Sequence, residues 1–585
     1  MPPVTTCGMR IRCGRQWGAI AGGLIAFGLA VGIPQQLLAT TFTCAADDSL
    51  CLIAAINAAN VNGLANTIRL AAGTYALLAA DNNTDGPNGL PSITSTLRIV
   101  GAGAGATSIA RPSSAPFFRL LHVGAGGSLT LTGVTLTGGY ADPRVNLAGG
   151  ALFNSGGAVT LQRCTVSGNT GGHGGGLFNG KGVMALRQST LSHNNSADGG
   201  GLLNGGGLVT LRESVVSGNE GGGLINDRGV VNISWSTFAN NATGFGPGGL
   251  GAGGTGSAVR ITNSRFTGNG GGLIAGAINI EDGTLFVAHS TFDHNGADGS
   301  GAIGASAPGH QVVLVITDSA FQQNVATEGT ITLSDGAVTF VMNTTFAANS
   351  VPVTGTGGQA VNNSSGTLML INSTLADNSG NGVAGPGGAL FTGIKGRTIL
   401  ANTLIARSTG PSNRDCVGPT TSIGNNLIGD PAGCGITLLP SDLTGDPGLN
   451  AFADDGEPGN GHYPLLPTSR AIDAGNSGIC PRADQVGHRR IGPCDIGASA
   501  FHDDGDHRHR ETNDDSHLGD DSHRGEDSAD ERESSAAITG LVQTLSSLKV
   551  ANTNNDDVLG QIKAFIDLLD QLTGQVRSDE VSTTP

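Results

Sequence analysis

Between Leu161 and Leu375 the apolar and polar positions repeat in one frame. An apolar residue stands five places before another at Leu161/Val166, Leu186/Leu191, Leu211/Val216, Ile233/Phe238 and Ile261/Phe266. The same pairing continues at Val287/Phe292, Ile316/Phe321, Val341/Phe346 and Leu370/Leu375. Most copies add an apolar residue two places earlier, such as Val209 or Val259. A spacing of two puts these side chains on one face of a strand. Val, Ile and Phe suit strands. One such strand cannot bury its face alone, but stacked copies bury it in a continuous column.

Two polar columns run in register with this frame. One is Ser189, Ser214, Ser236, Ser264, Ser290, Ser319, Thr344 and Ser373, with Cys164 at the same place. Cys164 is therefore read as a small buried stand-in for serine rather than a reactive thiol. The other is Asn169, Asn194, Asn219, Asn241, Asn269, Asn295, Asn324, Asn349 and Asn378. Asparagine tolerates left-handed backbone and can hydrogen-bond to its copy one rung away. These asparagines are expected to form a structural ladder at a corner. The step between copies runs from 22 residues (Asn219 to Asn241) to 29 (Asn295 to Asn324). That is too variable for a fibre and right for a solenoid with inserted loops. After the asparagine come "GGGLFN", "GGGLLN", "GGGLIN" or "GGALFT", in which Leu177, Leu202, Leu224 and Leu390 begin a second strand.

Short strands, tight corners and in-register ladders predict an all-β chain. The expected fold is a right-handed parallel β-helix with an N-terminal helical cap and small C-terminal helices. The repeats from about Ser128 to Arg397 resemble polymorphic outer membrane protein repeats in their GG-[AL]-[LI] and F-x-x-N elements. The fold so read is that of the pectin-lyase-like solenoids.

A solenoid's ends need caps. Asp48 and Ser49 are helix N-cap residues, Leu52, Ile53, Ile56 and Ala59 share one face, and Asn62-Gly63 ends the helix. The stretch Cys51–Ile56 with "NAAN" resembles the CSLREA domain of bacterial surface proteins, without that motif's Arg-Glu pair. At the other end, "NRDC", "GNNLIGDPAGC", "SDLTGDPGL" and the run from Leu465 to Phe501 resemble the choice-of-anchor Q domain. Val486 stands where that family usually has Arg. The resemblance implies an exported β-helix, often on a bacterial surface, and implies no reaction.

Residues 1–39 read as a signal peptide. Arg10, Arg12 and Arg15 precede an apolar run from Gly18 to Ile33, with cleavage expected after Ala39. An uncleaved anchor is the rival reading. No later segment is apolar enough to span a bilayer. The remaining spans are a cap with first coils (40–127), β-helix repeats (128–412) and a choice-of-anchor Q-like C-terminal part of the β-helix (413–501). Residues 502–535 read as a disordered acidic and His-rich linker. Thirteen acids, four arginines and five histidines crowd His502 to Glu533 with almost no apolar residue. Residues 536–577 read as amphipathic helices, from Ile538, Leu541, Val542, Leu545 and Leu548, then Leu559, Ile562, Ile566, Leu569 and Leu572.

Composition supports a folded array. Glycine supplies 97 of 585 residues, more than a linker-free globular chain needs, yet apolar residues recur between the glycines. Six cysteines fall in close pairs, Cys44 with Cys51, Cys416 with Cys434 and Cys480 with Cys494, which in an exported chain read as disulfides. Metal ligation is the rival, but Cys-x-x-Cys is absent. The net charge of −16 opposes nucleic-acid binding.

Catalysis has to be argued from sites. Arg187 and Arg212 occupy equivalent outward positions on successive rungs, where they could clamp a carboxylate beside Glu213 and Gln162. His173, in "GGHGGG", matches the Gly-His-Gly of polygalacturonases but lacks their paired aspartates. These three are the catalytic candidates. His193 and His294 share a column four rungs apart, so they cannot share a metal. His289, Asp293, His294 and Asp298 are the metal candidates, clustered within one rung. No cofactor is expected, and calcium is not indicated. The leading expectation is an adhesin-like protein, extracellular or at the cell surface and outer membrane, that binds glycans or other proteins. A polysaccharide lyase or glycoside hydrolase, and a passive surface spacer, are the alternatives.

Overall fold

The computed structural model describes residues 39–352, 355, 357–380, 387–410, 415–502 and 563–564. The signal peptide, the acidic linker and the C-terminal helices lie outside the described residues, apart from Ala39, His502 and Lys563–Ala564. Lys563 and Ala564 are helical and exposed.

Each coil of the described chain contributes up to four short strands, three on long faces and, in four coils, a two-residue strand such as Gly296–Ala297 or Val325–Ala326 at the corner between the second and third. The first face takes mostly five-residue strands, such as Ala158–Gln162, Val183–Arg187 and Leu208–Arg212. The second takes three-residue strands, such as Thr165–Ser167 and Thr190–Ser192. The third takes strands such as Leu177–Asn179 and Leu202–Asn204. Every face pairs parallel with the next coil, as in Leu161↔Leu186, Val166↔Leu191 and Leu177↔Leu202, with one register shift on the third face between Ser300 and Ile303. The second face stacks 15 strands, from Gly73–Ala76 to Leu443–Thr444. This is a parallel β-helix.

The period-two residues fill its interior. Leu161, Leu186, Leu211 and Ile261 are fully buried, as are Phe238, Phe266, Phe292, Phe321 and Phe346. The five phenylalanines stack with centroids 4.7–5.1 Å apart. That is the rung spacing of ~4.8 Å, so the sheet imposes the stack. Each buried ring contributes ~1.5–3 kcal/mol of transfer free energy.

Two corners per coil turn through left-handed backbone. One lies just before the serine column, at Gln188 (φ 51°), Glu213 (φ 50°), Trp235 (φ 50°) and His289 (φ 46°). The other lies just before the asparagine column, at His193 (φ 54°), Asn240 (φ 53°), His294 (φ 55°), and Gly168, Gly218 and Gly268. The expectation that the asparagines themselves take this conformation is corrected. The left-handed residue points outward and tolerates several types. The residue after it points inward and must satisfy the backbone of the turn, which selects Ser or Asn.

The ladders do that. Asn194 donates from Nδ2 to the Val166 carbonyl at 2.9 Å and to Asn219 Oδ1 at 3.1 Å, while its backbone N–H donates to the same Oδ1 at 3.0 Å. The Ser189 N–H donates to Ser214 Oγ at 3.2 Å, and its hydroxyl donates to the Arg187 carbonyl at 2.9 Å. Cys164 takes the serine position as expected: it is free and buried, and its N–H donates to Ser189 Oγ at 3.1 Å. A second asparagine ladder on the third face links Asn154, Asn179, Asn204 and Asn226 at 2.8–2.9 Å.

The helix Ser49–Asn62 covers the first coils, with Asp48 accepting from the Cys51 N–H at 2.9 Å and Gly63 as left-handed C-cap. Leu52, Ala55, Ile56 and Ala59 are buried; Ile53, expected among them, is only half-buried because it lies ~100° around the helix from Leu52. Disulfides join Cys44–Cys51, Cys416–Cys434 and Cys480–Cys494. Among the described residues no helix is long and apolar enough to cross a membrane.

The coil ends at Thr444, and residues 446–502 do not extend it. They run back as a strap along the second face and its corner. Gly459 N–H donates to Thr291 Oγ1 at 2.8 Å, Thr345 Oγ1 to Gln485 Oε1 at 2.6 Å, and Asn402 Nδ2 to the Asn476 carbonyl at 3.1 Å. The reason lies in the outward residues of that face. Ser167, Ser192 and Ser217 stand half-exposed early in the stack; Ala347, Ala376 and Ala406 take their place later and are buried with Leu449, Tyr463, Leu465 and Ile496.

The first face changes in the same sense. Its central outward column reads Thr130, Thr160, Ala185, Thr210, Asn232 and Arg260, all half-buried, then Phe286, Val315, Phe340, Met369 and Ile399, all buried.

Candidate functional site

Arg187 and Arg212 are direct partners on adjacent first-face strands, and both are exposed. Gln162 pairs with Arg187 one coil earlier. Arg212 Nε lies 3.1 Å from Glu213 Oε1, and Glu213 Oε2 accepts from Gln188 Nε2 at 2.7 Å. The Gln188 hydrogen bond and the Arg212 guanidinium hold the Glu213 carboxyl below its usual range. Part of the Arg212 charge is thus already answered on the same edge, and such exposed pairs contribute ~0–1 kcal/mol.

His173 bridges Ala148 and Asp198 on neighbouring coils, with Nδ1 3.4 Å from Asp198 Oδ2. His193 forms a left-handed corner. The metal quartet read from the sequence is not assembled. His289 and His294 form two different corners, separated by the strand Thr291–Asp293. His289 Nε2 lies 4.0 Å from Asp318 of the next coil, whereas His294 Nδ1 lies 3.1 Å from Asp293. Asp293 also accepts from Thr267 Oγ1 at 2.9 Å. Sequence proximity suggested a cluster, and the two turns divide it.

Another cluster was not visible in sequence. Asp484, His488 and His502 bring three ligand atoms within 4.8 Å of one another. Asp484 is buried, and both histidines are exposed. Among the described residues this is the one such group of three. An Asp-x-x-x-His spacing in a loop, with a histidine 14 residues on, carries no recognisable signal by itself.

A polar relay also forms beside the first coils. His122 Nδ1 lies 2.9 Å from Ser92 Oγ and its Nε2 3.1 Å from Asp85 Oδ2. A hydrolytic relay needs a sheltered acid and an accessible hydroxyl. Here Asp85 is the exposed end, and Ser92 Oγ also donates to Asn82 Oδ1 at 3.2 Å. Burial depresses the His122 pKa, with Asp85 opposing and Arg119 assisting. Arg119 itself is buried against the Phe153 ring, and burial lowers its pKa to about 10. The arrangement pins the loop that carries Asp85 onto the coil.

No curated protein matches the chain. Among solved structures, the A-module of mannuronan C-5 epimerase AlgE6 from Azotobacter vinelandii aligns at 14% identity and TM-score 0.30, over 69% of this chain and 96% of that one. The AlgE4 A-module from the same organism aligns at 14% identity and TM-score 0.27, over 68% and 92%. Pectate lyase Pel9A aligns at 13% identity and TM-score 0.27, over 79% and 96%. The family model described as a right handed beta helix region matches residues 120–281. The stacked coils continue in register on both sides of that match, and the chain is a right-handed parallel β-helix protein.

Proposed function

We propose that this is an exported, cell-surface β-helix protein that binds glycans or the proteins of a neighbouring surface. The observation that supports this reading is the polar half of the first face. Thr130, Thr160, Ala185, Thr210, Asn232 and Arg260 form one outward column, one residue per rung, flanked by exposed Arg187 and Arg212. A flat ladder of hydroxyl, amide and guanidinium groups at ~4.8 Å intervals suits a repeating polar polymer. The face is bounded where the column turns apolar at Phe286.

A glycan array probed with the exported chain tests the proposal. Binding to a defined class of glycan is expected, with loss on Thr160→Lys plus Thr210→Lys. For an anionic ligand, Arg187→Ala with Arg212→Ala is expected to weaken binding in a salt-dependent way. Binding unchanged by every one of these substitutions would place the ligand elsewhere.

A further inference from the structure

We propose that Asp484, His488 and His502 form a binding site for a divalent transition metal, zinc being the best fit. The proposal rests on the geometry of the strap.

Asp484 is fully buried at its side chain, and each oxygen is held by a backbone donor. Oδ1 accepts from the His488 N–H at 2.8 Å and Oδ2 from the Ala500 N–H at 3.0 Å. Those two bonds place the His488 loop and the end of the strap on opposite sides of one carboxylate. Both imidazoles then converge on Oδ2. His488 Nδ1 lies 3.9 Å from it and His502 Nε2 3.7 Å. The rings are 4.5 Å apart at their centroids and nearly perpendicular.

Neither nitrogen-to-oxygen distance is a hydrogen bond. Both are close to what a shared cation would impose. A tetrahedral zinc with ligands at ~2.0–2.1 Å separates its ligand atoms by about 3.4 Å. Closing the two nitrogen-to-oxygen gaps to that value takes a few tenths of an ångström, and the three ligand atoms already lie within 4.8 Å of one another, so rotating the two exposed rings completes the set. A carboxylate with two imidazoles selects zinc, copper or nickel over calcium or magnesium, which prefer oxygen shells. The backbone donors on Asp484 supply the outer support that orients a ligating carboxylate.

A metal there would tie His502 to the 484–488 loop, and so fasten the strap that covers Ala347 and Ala376. Its function is a clip, independent of ligand binding on the first face.

The experiment uses the full exported chain, stripped with chelator and titrated with ZnCl2 by calorimetry. Co2+ is titrated in parallel for the absorption bands of a tetrahedral nitrogen–oxygen site. The acidic tail also carries histidines, so two variants separate the sources. His488→Ala with His502→Ala is expected to lose one tight equivalent or weaken it at least tenfold. His507→Ala, His509→Ala, His517→Ala and His523→Ala together should keep it. Far-UV circular dichroism confirms that each variant folds. Asp484→Asn is expected to weaken the site as well. Absence of a tight equivalent in the parent chain, its survival in the His488/His502 variant, or its loss in the tail variant would each overturn the proposal.

Discussion

Asn269→Ala removes one rung of the asparagine ladder in mid-stack, and its cost can be counted from the bonds. Asn269 is buried. Its Oδ1 accepts from the Asn241 N–H at 3.2 Å and from Asn241 Nδ2 at 3.0 Å. Its Nδ2 donates to the Phe238 carbonyl at 2.9 Å and to Asn295 Oδ1 at 3.0 Å. Three of the four partners keep a bond after truncation. Asn241 Nδ2 still donates to the Val216 carbonyl, Asn295 Oδ1 still accepts from the residue-269 N–H, and the Phe238 carbonyl keeps its place in the parallel ladder beside Ala239↔Thr267. The Asn241 N–H alone loses the side chain that served it. At ~1–3 kcal/mol for a buried group left unsatisfied, the expected loss is about 1–3 kcal/mol. The neighbouring Asn240→Gly is the control. Asn240 has φ 53° and faces outward, so glycine relieves left-handed strain while adding unfolded-state entropy, for a net change of about zero. Urea unfolding followed by circular dichroism, with amide exchange read at residue 241, measures both variants. Equal destabilisation by the two, or a loss below ~1 kcal/mol for Asn269→Ala with unchanged exchange at residue 241, would refute the reasoning.

Three further outcomes are expected. Because burial lowers the His122 pKa, the folded state binds a proton less readily than the unfolded chain. The stability this contributes is present above the unfolded value of ~6.5 and is lost as pH falls through the lowered folded value; His122→Gln should flatten unfolding midpoints measured from pH 7.5 to 5, and parallel profiles would count against it. Ala376→Glu places a carboxylate under Tyr463 and Leu465, so limited proteolysis should cut between residues 446 and 502 first, whereas an unchanged digestion pattern would show that the strap does not depend on that contact. Pectate, alginate and hyaluronan should survive incubation with the purified chain, because Arg212 already faces Glu213; the assays are ultraviolet absorbance for unsaturated products and reducing-end release, and turnover abolished by Arg187→Ala with Arg212→Ala would install the lyase instead.

The inward half of this fold was legible because burial constrains residue type. Leu161, Val166, Ser189 and Asn194 each face the interior, and each must repeat or leave a void or an unpaired amide. The helical cap followed from Asp48, its apolar face and Gly63 for the same reason. What lay outward was harder. His289 and His294 looked like neighbours in a ligand set, but a left-handed corner stands at each, and nothing in a side chain's own chemistry announces a corner that many types can occupy. The strap was missed although its footprint was present in the sequence. The serines at 167, 192 and 217 give way, after Ala239, Thr267, Asp293 and Gln322, to three successive alanines at 347, 376 and 406 in the same outward register. A solenoid surface open to water has no reason to shed hydroxyls in one column over successive rungs. The change from Thr210 to Phe340 in the first-face column obeys the same logic. In a stacked fold, then, outward columns carry as much information as inward ones. An inward column reports that a rung exists, and a change of polarity along an outward column reports where that rung is covered. Asp484, His488 and His502 escape both rules, because they lie on the strap, where no neighbouring repeat exists against which to compare them.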